Sequence, residues 1–309
     1  MTATAVAARV DASGLTDVGL KRKVNEDHFV IAALQRSADV RQTSLPDPRV
    51  LDVLRGPEAL IFLVADGVGG RPGGALASET AVTALIEYIG RAAGRIHQLD
   101  VDREHEFLGQ LEAAVHEAHE RVVAQSGGTG QGPATTLTMA MLVWPRVYLV
   151  HVGDSRAFYL HKGRLKQLTR DQTTGEYMVD AGAWTEEQAA KAPMGGTLVS
   201  ALGGDEMTVA VGLVDLQPGD VLLLCTDGLT RHVGDERIAE VLKRAPDAET
   251  ACRELVADAL AGGGHDNVTV IVAEVGYGDL SGSGGALDET RVDVTALPRG
   301  ELPGQSGNG

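Results

Sequence analysis

Four aspartates in this chain share one layout: an apolar run ends, and an acidic residue stands beside glycine or asparagine. The run at 60–65 leads into Asp66-Gly67, and the run at 147–152 into Gly153-Asp154-Ser155-Arg156. The run at 221–226 leads into Asp227-Gly228, while Asp266-Asn267 follows the glycines at 262–264 and opens an apolar run from Val268. A strand end fixes the direction of a carboxylate, and the loop beside it leaves the oxygens open. Glycine lets backbone come close to an ion, and its carbonyl can itself be a ligand. Carboxylates, carbonyls and water suit Mg2+, Mn2+ or Ca2+ better than they suit zinc or copper. Asp-Gly is also a common turn pair. Spacing alone therefore leaves two readings open, an oxygen-ligand metal site and four separate turns.

A second cluster, Lys21-Arg22-Lys23-Val24-Asn25-Glu26-Asp27, reads either as a charged hairpin turn or as a phosphate-binding arginine beside carboxylates that orient water. The histidines compete poorly as ligands. His116 and His119 stand three apart, not the four of a zinc-binding helix, and read as a solvated helix edge. His265 is either near Asp266 in the site or a packing residue of its loop. Cys225 and Cys252 lie in apolar and helical patterns and read as buried thiols, not a disulfide framework.

Elements that could hold such residues are legible around them. Apolar runs rich in Val, Leu and Ile at 28–34, 60–65, 135–143, 146–152, 221–225 and 268–275 have the length of buried strands. Val82, Leu85, Ile86 and Ile89 lie on one helical face. So do Leu108, Leu111, Val115, Ala118 and Val122, and again Cys252, Leu255, Val256 and Ala259. Strands come in pairs with helices in blocks between them, which points to an α+β fold with helices outside largely antiparallel sheets. The expected organisation is a flexible arm over 1–12, one folded unit over 13–276, and a disordered tail over 277–309 rich in Gly, Ser, Pro and Asp. Residues 36–57 and 173–204 read as surface insertions.

The chain has 309 residues, 43% of them hydrophobic, enough for a sizeable core. With 27 basic and 43 acidic residues its net charge is −16, which disfavours nucleic acid and anionic membranes as partners. No apolar segment approaches a bilayer span and no signal-peptide layout opens the chain, so a cytoplasmic protein is expected. A chain this acidic and globular needs no obligate partner, and a monomer is expected.

In order and rough spacing, Arg22-x-x-Asn25-Glu26-Asp27, Asp66-Gly67-Val68-Gly69-Gly70, Ala134-Thr135-Thr136, Gly153-Asp154-Ser155-Arg156, Cys225-Thr226-Asp227-Gly228-Leu229 and Gly264-His265-Asp266-Asn267 resemble the motifs of the type 2C (PPM) protein phosphatases, in a bacterial form. Each motif is weak alone; six in register are specific, and the resemblance spans about residues 14–275. The resemblance implies two packed antiparallel β-sheets, a β-sandwich flanked by α-helices, with a metal centre at one end. It implies two Mn2+ or Mg2+ ions, bridged by Asp66, with the Gly67 carbonyl on one and Asp227 and Asp266 on the other. Glu26 and Asp27 would act through water, Asp154 with Asp227 would form a weaker third site, and Arg22 would bind phosphate. Asn267 would steady the Asp266 loop. The implied reaction is hydrolysis of phosphoserine or phosphothreonine in proteins by a metal-activated water, reversing Ser/Thr kinase signalling. The alternative is a catalytically weak, phosphatase-like regulatory module that binds phosphoproteins.

Departures from the pattern fall outside the acidic set. Val68 stands where some relatives carry a histidine acid and cannot donate a proton. Ala134 replaces a usual glycine, and Gln172 a frequent histidine. Residues 194–200, within a flap at about 173–204, lack a common Asn and Arg, which bears on substrate preference. In the tail, Thr290 beside Asp288 and Glu289 is either an unmodified solvated residue or a kinase site for a phosphothreonine reader.

Overall fold

The apolar runs lack the strict alternation of a half-solvated strand because their strands are covered on both faces. The computed structural model describes residues 9–36, 56–68, 73–92, 104–125, 132–276 and 292–294. One sheet contains β1 (Arg9–Asp17), β6 (Arg156–His161), β7 (Arg164–Gln167), β9 (Val221–Cys225), β10 (Val268–Gly276) and β11 (Val292–Val294), in the order β11-β1-β10-β9-β6-β7. The other contains β2 (Asp27–Arg36), β3 (Gly56–Asp66), β4 (Leu137–Val143), β5 (Arg146–Val152) and β8 (Ala210–Asp215), in the order β2-β3-β4-β5-β8. All neighbours are antiparallel except β1 and β11. Helices α1 (Gly74–Ala92) and α2 (Glu104–Ala124) cover the second sheet, and α6 (Asp235–Arg244) and α7 (Ala248–Ala261) cover the first. The result is the expected α+β sandwich.

Period-two alternation survives inside each run as a choice between two cores. On β3, Ile61, Leu63 and Ala65 face α1 and α2, while Leu60, Phe62 and Val64 face the opposing sheet. On β9, Val221, Leu223 and Cys225 face the α7 side, and Leu222 and Leu224 face between the sheets. Burying each such large side chain contributes about 1.5–3 kcal/mol.

Several elements differ from the sequence expectation. The loose arm does not extend over residues 9–12: β1 begins at Arg9 and pairs with β10 along its whole length. Its side chains are small and mixed, so backbone hydrogen bonding, not an apolar run, carries it. Residues 292–294 of the presumed tail pair with Ala12–Gly14. The run at 135–143 forms a strand only from Leu137, and Thr135 bridges Gly67 and Leu202 instead. The short edge strands were not singled out: β7 is polar, and β8 is apolar in sequence but largely exposed. Most of the 36–57 insertion, with Gly69, Gly70 and Thr290, lies outside the described residues. The 173–204 segment contains α3 (Thr174–Asp180) and α4 (Glu186–Lys191), the latter opened by a Thr185–Gln188 capping box.

Antiparallel order gathers particular strand ends. The register sets Asp66 opposite Asp27, Val152 opposite Leu137, and Cys225 opposite both Arg156 and Val270. The ends of β3, β5 and β9 therefore share a rim with the starts of β2, β4, β6 and β10. Each candidate aspartate stands on that rim.

Candidate metal centre

Asp66 is fixed through its backbone by the paired threonines just before β4. The Asp66 amide donates to Thr136 Oγ1 (3.0 Å), and its carbonyl accepts from the Thr136 amide (2.8 Å) and from Thr135 Oγ1 (2.8 Å). The paired threonines are thus clamps on Asp66. Behind it, buried Asp27 accepts from Thr269 Oγ1 (2.7 Å) and Thr226 Oγ1 (2.9 Å) at Oδ2. Glu26 is held by its own backbone: its amide donates to Asn267 Oδ1 (2.9 Å), and its carbonyl accepts from Ser78 Oγ and the Gly67 amide.

Glycine serves here for close approach of one backbone to another. A Cβ on Gly67 would lie 2.5 Å from the Gly74 carbonyl carbon and 2.9 Å from Glu26 Cβ. Asp227 opens a one-turn helix, α5 (Asp227–Thr230), and a Cβ on Gly228 would clash with the Asn267 carbonyl oxygen. Asn267 does more than steady the Asp266 loop: its Nδ2 donates to the Val18 (2.9 Å) and Val24 (3.0 Å) carbonyls, tying down the Arg22 loop.

Arg22, Asp66, Asp154, Asp227 and Asp266 line one cleft of about 690 Å³, with Val68, Ala134 and Thr136. Flap residues, Gly196 to Ala201 among them, form another wall. Glu26, Asp27 and Gly67 are not among the residues lining it. Gln172 couples flap to centre: Oε1 accepts from the Gly153 amide (2.9 Å), Nε2 donates to the Thr208 carbonyl (3.1 Å), and its carbonyl accepts from Val199 (3.0 Å). His119 is not simply on a solvated edge; its Nδ1 accepts from the Gly203 amide (3.1 Å). His265 stacks on His232.

The electrostatics are those of crowded anions. Burial first, then the charges of Asp27, Asp227, Asp154 and Asp266, hold the Asp66 carboxyl well above its usual range. Burial raises Asp27 to about 7 against its two threonine hydrogen bonds, and raises Asp154 to about 7 with help from Asp227. Asp227 is raised to about 6 by burial, although Arg231 opposes this. Among the described residues no three Asp, Glu, His or Cys side chains are gathered closely enough to hold an ion as they stand. Asp266 accepts from Arg22 (2.8 Å), and Asp227 is ion-paired to Arg231. Asp27 Oδ1 and Asp227 Oδ1 are buried without any hydrogen-bond partner. Unpartnered buried carboxylate oxygens beside further carboxylates are costly unless a cation arrives, so the donor set fits hard divalent ions.

Arg231 escaped the sequence reading because the one-turn helix after β9 was not legible there. Had a helical turn been expected, Asp227 and Arg231 would have read as an i,i+4 ion pair. Among the described residues no helix is long and apolar enough to cross a membrane.

A family model described as protein phosphatase 2C matches residues 50–261. The serine/threonine protein phosphatase PstP of Mycobacterium tuberculosis is 38% identical over 219 residues, 70% of this chain; that match spans only 40% of the relative's length. The serine/threonine phosphatase stp of Listeria monocytogenes is 31% identical over 69% of this chain and 84% of its own. A crystal structure of the PstP catalytic domain in complex with two manganese ions superposes with a TM-score of 0.64 at 32% identity, covering 87% of this chain and 99% of that one. The rim of aspartates and a family model that matches more than half of the chain together show that it belongs to the protein phosphatase 2C family.

Proposed function

We propose that the chain is a metal-dependent protein serine/threonine phosphatase that hydrolyses phosphoserine and phosphothreonine in proteins. The observation that carries this reading is the convergence of Asp66, Asp154, Asp227 and Asp266 with Arg22 on one cleft. Asp66, the Gly67 carbonyl, Asp227 and Asp266 would hold two Mn2+ or Mg2+ ions, Glu26 and Asp27 would contribute through water, and Asp154 with Asp227 would hold a third. Such ions supply the charge that activates water and offsets the phosphoryl oxygens.

The chain's own residues supply position. Thr135 and Thr136 hold Asp66 against recoil from its neighbours. Arg22, on the cleft wall, offers a planar fork to phosphoryl oxygens. Val68 lines the cleft and has no proton to give, so the leaving alkoxide takes its proton from water. The catalytic unit is residues 9–276, with the flap shaping substrate entry. A cytoplasmic Ser/Thr kinase is the opposing partner, and Thr290 is either an unmodified residue or a site it phosphorylates for a phosphothreonine reader. Peptide mapping after coexpression with such a kinase tests the last point; an unmodified Thr290 refutes it.

The decisive assay is hydrolysis of a phosphothreonine peptide with Mn2+, with and without excess EDTA, beside Asp227→Asn. Turnover that EDTA abolishes and the substitution lowers by about 10³-fold, roughly 4 kcal/mol of barrier, is expected. Folded, metal-binding protein without turnover would replace this reading with a non-hydrolysing phosphoprotein-binding module.

A further inference from the structure

The cleft is lined by six carboxylates, those of Asp66, Asp154, Asp205, Glu206, Asp227 and Asp266, and by two cations, Arg22 and Arg231. Arg22 is bound to Asp266 at 2.8 Å. Arg231 reaches further into the acidic set. It is ion-paired to Asp227 through one terminal nitrogen, and its other stands 3.5 Å from Asp266 Oδ2. One guanidinium thus spans two carboxylates, and Asp266 Oδ2 lies between two guanidiniums. An exposed i,i+4 pair on a helix would be a minor surface contact. This one differs because its acid is buried: the Asp227 side chain is 12% exposed and the Arg231 side chain 52%. The cation reaches in from solvent to an anion that has left it. The second Asp227 oxygen, Oδ1, stays buried and unpartnered, so the pairing is incomplete.

We propose that Arg231 is an exchangeable resident counter-ion of the acidic centre, which a divalent cation must displace to bind Asp227 and Asp266. The inference rests on the reading of that centre as a metal site. Two cations cannot both take the inward lone pairs of Asp227, and the guanidinium, on a half-exposed flexible stem, is the one that can leave. Its departure costs the ion part of its binding energy, so apparent metal affinity is set by competition within the molecule. The same pairing holds the metal-free cleft together against its own repulsion.

The test is calorimetric titration of Mn2+ into metal-free full-length protein, with Arg231→Gln, Arg231→Lys and, as a control for net charge, Arg237→Gln. Arg237 pairs with Asp258 and Glu240 and does not line the cleft. Removing the competitor is expected to tighten Mn2+ binding about 10-fold in Arg231→Gln, as for any ligand that excludes another. Arg231→Lys, which keeps the charge and loses the fork, should fall between, and Arg237→Gln should match the parent within about twofold. Metal-free Arg231→Gln should also melt below the parent, the gap closing as Mn2+ is added. Equal or weaker Mn2+ binding in Arg231→Gln overturns the counter-ion role, as does a lysine variant that binds as tightly as the glutamine one. If no variant and not the parent binds Mn2+, the metal-site reading itself fails.

Discussion

Asp66→Asn is expected to lower metal-dependent hydrolysis of a phosphothreonine peptide by at least about 10³-fold while raising the melting temperature of the metal-free protein. The two effects share one cause. Asp66 stands opposite Asp27 in the register and feels the charges of Asp27, Asp227, Asp154 and Asp266. Asparagine keeps the shape and the threonine clamps, which grip the backbone, but removes one buried ionisable carboxyl from a cluster of five. The sign of the pH dependence follows. Asp27 and Asp154 have folded-state values near 7 and Asp227 near 6, all above the unfolded 3.8. The folded chain therefore binds more protons than the unfolded one between about pH 4 and 7, and metal-free stability falls as pH rises through that window. One shift of that size corresponds to roughly 4 kcal/mol. In a chain of this length that is about 10 °C of melting temperature. Saturating Mn2+ should flatten the slope, and Asp66→Asn should shrink it without metal. Thermal melts at pH 5 to 8, with EDTA or with Mn2+, read both; a metal-free protein that melts higher as pH rises would contradict the account.

The sequence exposed what was apolar and what was acidic, and hid what depends on pairing. β3, β4, β5, β9 and β10 announced themselves because both faces of each are buried, so each reads as an unbroken apolar run. β1 did not, since Arg9–Asp17 carries small and charged side chains and owes its place to the β10 ladder. The aspartates were legible because strand-end Asp beside Gly is a visible pattern, and their shared rim follows once the strands are antiparallel. Their clamps were less so. Thr226 and Thr269 are 43 residues apart, yet both donate to Asp27. Only register brings them together. Asn267 looked local to Asp266, whereas its side chain binds backbone more than 240 residues away.

Gly228→Ala should be among the most damaging single-methyl additions to this chain. The new Cβ would meet the Asn267 carbonyl oxygen at 1.9 Å, its carbon at 2.9 Å and Val268 Cγ2 at 3.2 Å. The first two are backbone, so no side chain can swing aside, and α5 must part from the start of β10. Overpacking of this kind costs about 3 kcal/mol. The displaced strand start carries Asp266, and through Asn267 it carries the Glu26 amide and the Val18 and Val24 carbonyls. Separation by about 1 Å between Asp227 and Asp266 is enough to cost about 10²-fold in turnover. Gly90→Ala, in α1 with open space around the new Cβ, should instead stabilise by about 0.5–1 kcal/mol and leave turnover alone. Melting curves and phosphopeptide kinetics on both variants decide the matter. A Gly228→Ala protein that melts and turns over like the parent would mean that the contact between α5 and Asn267 does not set the spacing of the centre.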